Sequence, residues 1–220
     1  MNAKIIDKRF YEKKWMSIGE WENQKSPYLK KNPGIEAFIA LKWVKKYLKS
    51  GKLLDVGCGG GRNSILFSKN GFQATGIDFS KKAIKLANIL KKEEKCNADF
   101  IEKSILDEFS EENFFDLIID FGCFHHLRKN QWNKYLKNVK KLLKPKSYYL
   151  LYCFSKESKE TINYKKGKDY SYKNHHYNHY FSLTDLNNVF KKNFSIIKHK
   201  IIKEKNRLLA FNMLLMQKNN

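Results

Sequence analysis

A glycine cluster, Gly57-Cys58-Gly59-Gly60-Gly61, and an aspartate 21 residues after its first glycine, Asp78, are the residues whose types and spacing could do chemistry. Glycine has no Cβ, so the backbone can turn tightly there and a ligand can lie directly on the main chain. Asp78 closes a second apolar stretch, where a strand-end carboxylate would accept hydrogen bonds from both hydroxyls of a ribose. The pair reads as the grip on a nucleoside-bearing cofactor at the mouth of a parallel sheet. A dinucleotide fingerprint needs a third small residue so that helix and strand can close around a pyrophosphate. Here that position is Arg62, which argues for a ligand without a pyrophosphate and against a nicotinamide oxidoreductase.

These residues need elements to hold them. The apolar run before Gly57 predicts a strand over 52–57, followed by a helix over 63–70 and a strand over 73–78. Ser80 is a good N-cap for a helix over 81–92. Strands are expected over 98–102 and 115–121, the second almost wholly apolar, as a strand covered on both faces should be. A helix over 129–143 should stop near Pro145, with a strand over 148–154. The polar, tyrosine-rich stretch 156–181 reads as an insertion or lid. A helix from Ser182 to about Lys192 and an antiparallel pair of strands over 195–202 and 207–216 complete the chain.

The first fifty residues read as a helical cap, broken at Pro27 and at Pro33-Gly34, with an apolar stripe through Ile35, Phe38, Ile39, Leu41, Trp43 and Val44. Alternating strands and helices predict an α/β fold with a doubly wound sheet in a single domain: cap 1–50, cofactor-binding core 51–155, lid 156–181 and a closing helix and strand pair over 182–220.

The chain of 220 residues carries a net charge of +22, which invites a nucleic-acid reading. Only four of its 44 basic residues are arginines, Arg9, Arg62, Arg128 and Arg207. Arginine makes the bidentate contacts to phosphates and bases, so a solvated lysine surface is the simpler account. The run 128–146 carries eight basic residues and no acid. Cys58, Cys96, Cys123 and Cys153 form no C-x-x-C pair, and the N-terminus lacks the apolar stretch of a signal peptide. A reduced, cytoplasmic setting with no membrane span is expected.

The stretch Asp55-Val56-Gly57-Cys58-Gly59-Gly60-Gly61 resembles motif I of class I S-adenosylmethionine-dependent methyltransferases, with Asp78 as their acidic ribose ligand. Phe115-Asp116-Leu117-Ile118-Ile119-Asp120 is similar to the family's fourth-strand signature. Leu143-Lys144-Pro145-Lys146-Ser147 is similar to its L-K-P-G-G turn without the two glycines. Gly61-Arg62-Asn63-Ser64, the run from Asp120 to Leu127, and the upstream Ser26-Pro27-Tyr28 with Asn32-Pro33 resemble the small-molecule branch that includes thiopurine and tellurite-resistance methyltransferases.

That resemblance implies a Rossmann-like seven-stranded sheet with an antiparallel last strand, S-adenosyl-L-methionine as cofactor, and methyl transfer to a small-molecule acceptor. By the same resemblance Gly57, Gly59 and Gly61 give backbone access to the cofactor and Asp55 orients its amine. Asp78 takes the ribose, Phe79, Ser104 and Ile105 flank the adenine, and Asn63 and Phe121 complete the set. Asp120 ends the fourth strand beside the reactive methyl.

His125 is the candidate general base or substrate-orienting group, since its ordinary pKa lies near neutrality; a histidine that only hydrogen-bonds loop backbone is the alternative. Arg128 could bind an acidic substrate or simply be a cation at a helix start. Tyr11, Trp15 and Tyr28 could cover the sulfonium by cation–π attraction, or pack an N-terminal helix. His175, His176 and His179 have no carboxylate or cysteine spaced with them, so no metal is expected. The chain lacks an Asn/Asp-Pro-Pro-Tyr/Phe motif, and Cys153 follows Tyr152 rather than proline. A nucleic-acid methyltransferase and a non-catalytic cofactor-binding protein are therefore the alternative functions.

Overall fold

Leu53, Leu54 and Val56 are buried, as a strand covered on both faces requires. The computed structural model describes residues 32–158, 170–173, 176–203 and 208–220. In it these side chains belong to β1 (Gly51–Val56), which follows α1 (Ile35–Val44). Within α1 the buried residues are Ala37, Ala40, Leu41, Trp43 and Val44, while Ile35 and Phe38 of the expected stripe stand exposed.

The chain divides into two compact units, Met1–Asp107 and Glu108–Asn220. In the first unit, β1 is followed by α2 (Arg62–Ser68), β2 (Phe72–Asp78), α3 (Lys81–Glu93) and β3 (Asp99–Glu102). β1 pairs parallel with β2, bringing Asp55 opposite Gly76, and β2 pairs parallel with β3, bringing Asp78 opposite Glu102. Ser80 caps α3 by accepting the N–H of Ala83 at 3.3 Å. Ala83, Leu86 and Leu90 of α3 pack with Ile65 of α2, and Phe100 closes the cluster from β3.

The second unit holds β4 (Phe115–Phe121), a single 3₁₀ turn (Phe124–His126), α4 (Lys129–Leu142) and β5 (Leu143–Phe154). A short hairpin, β6 (Tyr170–Lys173) and β7 (His176–His179), follows, then α5 (Leu183–Phe190), β8 (Phe194–Lys203) and β9 (Ala210–Lys218). β4 and β5 are parallel, whereas β9 runs antiparallel to both β5 and β8. The seven-stranded sheet has the order β3-β2-β1-β4-β5-β9-β8. This is the doubly wound α/β arrangement with its reversed last strand. No helix among the described residues is long and apolar enough to cross a membrane.

Two expectations change. The stretch expected to be only a lid contains the β6–β7 hairpin, in which Tyr172 pairs with Tyr177; its polar sequence lacks the alternation that marks a half-buried strand. β5 starts at Leu143 rather than Tyr148, because Leu143 already pairs with Phe115. The register then shifts between Phe115 and Leu117, and this bulge absorbs Pro145, which has no N–H to give a ladder.

Within the bulge Lys146 takes a left-handed backbone, φ 59°, where the related motif has glycine. A side chain there costs about 1–2 kcal/mol, offset in part by the extra chain entropy glycine loses on folding. Lys146→Gly is expected to stabilise the fold by about 0.5–1 kcal/mol, read from the urea midpoint at unchanged m-value.

Candidate functional site

In the first unit the glycine turn is built from left-handed residues: φ is +68° at Gly57, +56° at Gly59 and +81° at Gly61. The N–H groups of Gly57 and Cys58 both donate to the carbonyl of Ile77, at 2.8 and 3.0 Å, which laces the turn to the end of β2. Asp78 then takes hold of it from the side. Its Oδ2 accepts the N–H of Gly59 at 3.0 Å and its Oδ1 accepts the N–H of Ser80 at 2.8 Å. One carboxylate thereby joins the glycine turn to the start of α3.

Asp55, 1 % exposed, accepts the hydroxyl proton of Ser64 at 2.6 Å, which fixes α2 against the end of β1. Asn63 is buried in the first turn of α2, and its Oδ1 has no hydrogen-bond partner among the described residues. Phe79 and Ser104 are half-buried and Ile105 is buried. The loop holding them is ordered from within: Lys103 donates its N–H to the Asp78 carbonyl at 3.0 Å, and Asp107 accepts the N–H of Ser104 at 2.8 Å. Burial, reinforced by the neighbouring carboxylates of Asp55 and Asp78, pushes the Cys58 thiol well above its ordinary pKa.

Gly61 has a packing duty as well. A Cβ built there would lie 2.6 Å from Cζ of Phe100 and 2.9 Å from Cβ of Ala87. Its bareness lets the turn pack against α3 and β3. Arg62, which breaks the dinucleotide fingerprint, donates to the Asn32 carbonyl at 3.3 Å and lies 4.0 Å from the Glu36 carboxylate.

In the second unit Asp120, the next-to-last residue of β4, is fully buried. Its Oδ1 accepts the N–H groups of Gly122 at 3.0 Å and Cys123 at 2.7 Å. Its Oδ2 accepts the N–H of Phe124 at 3.0 Å and the hydroxyl proton of Tyr135 at 2.5 Å. Four donors fill the four acceptor positions of a carboxylate. The direct part in catalysis and cofactor binding expected of Asp120 has no lone pair left to serve it; the group acts on the turn that follows. Phe121, half-buried, packs its ring 5.7 Å from Tyr152.

His125 is 3 % exposed and stacks on Phe154 at 3.9 Å. Its Nδ1 accepts the N–H of Phe154 at 3.1 Å, so the proton of the neutral ring sits on Nε2. That proton points at Nε2 of His126, 3.0 Å away. His126 must then carry its own proton on Nδ1, where it donates to the Tyr177 carbonyl at 2.8 Å. The tautomers, assigned from these partners, form one directional chain from β5 to β7 with both rings neutral. Arg128 lies over the Tyr177 ring at 5.3 Å.

Tyr11, Trp15, Tyr28 and His175 lie outside the described residues. His179 is buried beside Trp132, 5.1 Å between ring centres. Among the described residues no group of three His, Cys, Asp or Glu side chains could hold a metal ion. Sequence reasoning missed the bond of Ser64 to Asp55 and the parts of Tyr135 and Tyr149. The available signal was a hydroxyl in an apolar helix or strand face, which has to find a partner when buried.

A family model described as a methyltransferase domain matches residues 32–198. An uncharacterized methyltransferase of Schizosaccharomyces pombe is 34 % identical over 118 residues, covering 51 % of this chain and 80 % of that protein. A ubiquinone biosynthesis O-methyltransferase of Pelagibacter ubique is 29 % identical over 171 residues, covering 76 % and 69 %. Among solved structures, 1,6-didemethyltoxoflavin-N1-methyltransferase of Burkholderia thailandensis, with 1,6-didemethyltoxoflavin and S-adenosylhomocysteine bound, superposes with a TM-score of 0.78. It is 17 % identical and covers all of this chain and 92 % of that one.

Proposed function

The chain belongs to the methyltransferase-domain family, and from that membership we propose that it transfers the methyl group of S-adenosylmethionine to a small-molecule acceptor. The observation that carries the cofactor half is the left-handed glycine turn clamped by Asp78 through Gly59. The buried Oδ1 of Asn63 in the adjoining helix turn, without a partner among the described residues, fits a polar ligand that completes it. Gly57 and Gly59 offer bare backbone, Asp55 orients the amine, Asp78 receives the ribose hydroxyls, and Phe79, Ser104 and Ile105 flank the base. The bound cofactor supplies an electrophilic methyl on a sulfonium. The protein's share is alignment and exclusion of water, and holding two reactants in line is worth roughly 7–11 kcal/mol.

The acceptor side is the turn after β4. His125 orients the acceptor through its Nε2–H once the acceptor displaces His126; its one lone pair, on Nδ1, is held by the Phe154 N–H, so it acts as a donor rather than as a base. Support for a small acceptor comes from the names of two relatives, one acting in ubiquinone biosynthesis and one on 1,6-didemethyltoxoflavin. The basic run gives nucleic acid little purchase: Lys134, Lys141 and Lys144 pair with Glu108, Glu112 and Asp116, at 3.3, 3.3 and 2.7 Å.

The test is S-adenosylhomocysteine formation with a panel of phenols, nitrogen heterocycles and thiols, with bulk RNA as a parallel arm. Turnover is expected with a member of the panel, and His125→Ala is expected to keep S-adenosylhomocysteine binding while turnover falls about 10²-fold. Methylation of RNA with every small molecule inert would overturn the reading.

A further inference from the structure

Two tyrosines lie where phenylalanine would pack equally well. Tyr135 on α4 and Tyr149 on β5 are both 0 % exposed, among Phe124, Phe190 and Phe194. Burying a hydroxyl is unfavourable unless it is hydrogen-bonded, and both are. Tyr135 gives its one proton to Asp120 Oδ2 at 2.5 Å, so the 2.7 Å contact with Tyr149 has Tyr149 as donor and Tyr135 as acceptor. The result is a one-way series, Tyr149 to Tyr135 to Asp120.

Beyond Asp120 the series divides into three backbone N–H groups, those of Gly122, Cys123 and Phe124. These are the residues immediately before His125. The Phe124 side chain is itself held among Trp132, Tyr135, Phe181 and Phe190, with ring centres 5.1–5.5 Å apart. Three successive N–H groups of the turn therefore share one carboxylate, and that carboxylate is held by one hydroxyl backed by another.

We propose that Tyr135 and Tyr149 are positioning residues for methyl transfer: their hydroxyls, in series through Asp120, set the turn 122–126 and with it the orientation of His125. The proposal rests on reading that turn as the acceptor side.

The carboxylate gives the series a pH signature. Burial pushes Asp120 up to about 6, while the Tyr135 hydroxyl and the three N–H groups pull it back down. The titratable groups facing it are Tyr135 from α4, Tyr149 and Cys153 from β5, and Cys123 from the turn. Burial raises Tyr135, Tyr149 and Cys153 well above their ordinary values, so they stay neutral through this range. His125, in the same turn, bonds to Phe154 and His126. Once protonated, Asp120 must turn an O–H toward one of its four donors, and that contact is lost.

Asp120 is raised above its unfolded value near 3.8, so the stability linked to its proton is fully present below pH ~3.8. It is lost as the pH rises through ~6, where the ionised group depends on its donors. Removing the Tyr135 hydroxyl takes one donor from the ionised form only and should raise the midpoint further.

The experiment is an NMR titration of the ¹⁵N-labelled protein, following the amides of Gly122, Cys123 and Phe124 and the ring protons of His125. In the unsubstituted chain the three amides are expected to move together with a midpoint near 6. In Tyr135→Phe the midpoint should rise by roughly one pH unit, as loss of a hydrogen bond to a charged group implies. The His125 ring signals should shift, and S-adenosylhomocysteine affinity should be unchanged. Tyr149→Phe should move the midpoint the same way by less, and it carries the test if Tyr135→Phe does not fold. An unmoved midpoint, or a moved midpoint with His125 signals unaltered, overturns the proposal. These signals need no acceptor, so they stand or fall apart from the small-molecule reading.

Discussion

Asp78→Ala is expected to abolish cofactor binding at any practical concentration. The carboxylate does two things at once: it is the proposed receptor for two ribose hydroxyls, and it fastens Gly59 and Ser80 through its two oxygens. Hydrogen bonds to a charged group are each worth about 1.5–3 kcal/mol. Losing two toward the ligand predicts a weakening of about 10²–10⁴-fold, before any loss from a loosened turn. Calorimetric titration with S-adenosylhomocysteine measures it. Asp78→Asn keeps one carbonyl oxygen and should show a smaller deficit, about tenfold. Wild-type affinity in the alanine variant would remove Asp78 from the ribose site and leave it only its backbone role.

Gly61→Ala should be the most damaging small substitution in the first unit. Two penalties coincide. The backbone at φ +81° costs an L-residue about 1–2 kcal/mol, and the new methyl would lie 2.6 Å from the Phe100 ring, an overlap that typically costs about 1–3 kcal/mol. A loss of about 2–5 kcal/mol in urea unfolding is expected. The two causes can be separated by adding Phe100→Leu, which removes the ring tip at Cζ and Cε1. The double variant should recover about 1–2 kcal/mol relative to additivity, with the backbone share remaining. Strict additivity would mean that the contact with Phe100 is not the source of strain.

The same glycine shows where sequence reading works and where it stops. The positions of the turn, Asp78 and the Ser80 cap were readable because each signal is local: the strand runs straight into the glycine cluster, and the capping serine follows Asp78 by two residues. Phe115–Phe121 has the bounds its apolar run predicts, because a strand covered on both faces carries its own signature. The packing need for a bare Gly61 comes from Phe100, which lies on another element, so nothing near the glycine in sequence announces it.

Tyr135 and Tyr149 were unreadable for a related reason. Each sits in an apolar pattern that phenylalanine would satisfy, and only the fold reveals that the two hydroxyls meet at 2.7 Å and end on Asp120. Asp120 was found by motif, but its duty was assigned to the reactants because nothing local shows that the backbone of its own turn fills it. The start of β5 was misplaced because Pro145 normally ends regular structure, and a bulge that tolerates it depends on pairing with β4.

The carboxylates that shape the glycine turn also quiet its sulfur. Cys58 stands between Gly57 and Gly59, where an ionised thiol would be a nucleophile within the turn itself. Burial and the negative charges of Asp55 and Asp78 keep it protonated, and a protonated thiol is a poor nucleophile. A protein that handles an activated methyl group is thereby shielded from modifying its own binding loop, by the same side chains that build it.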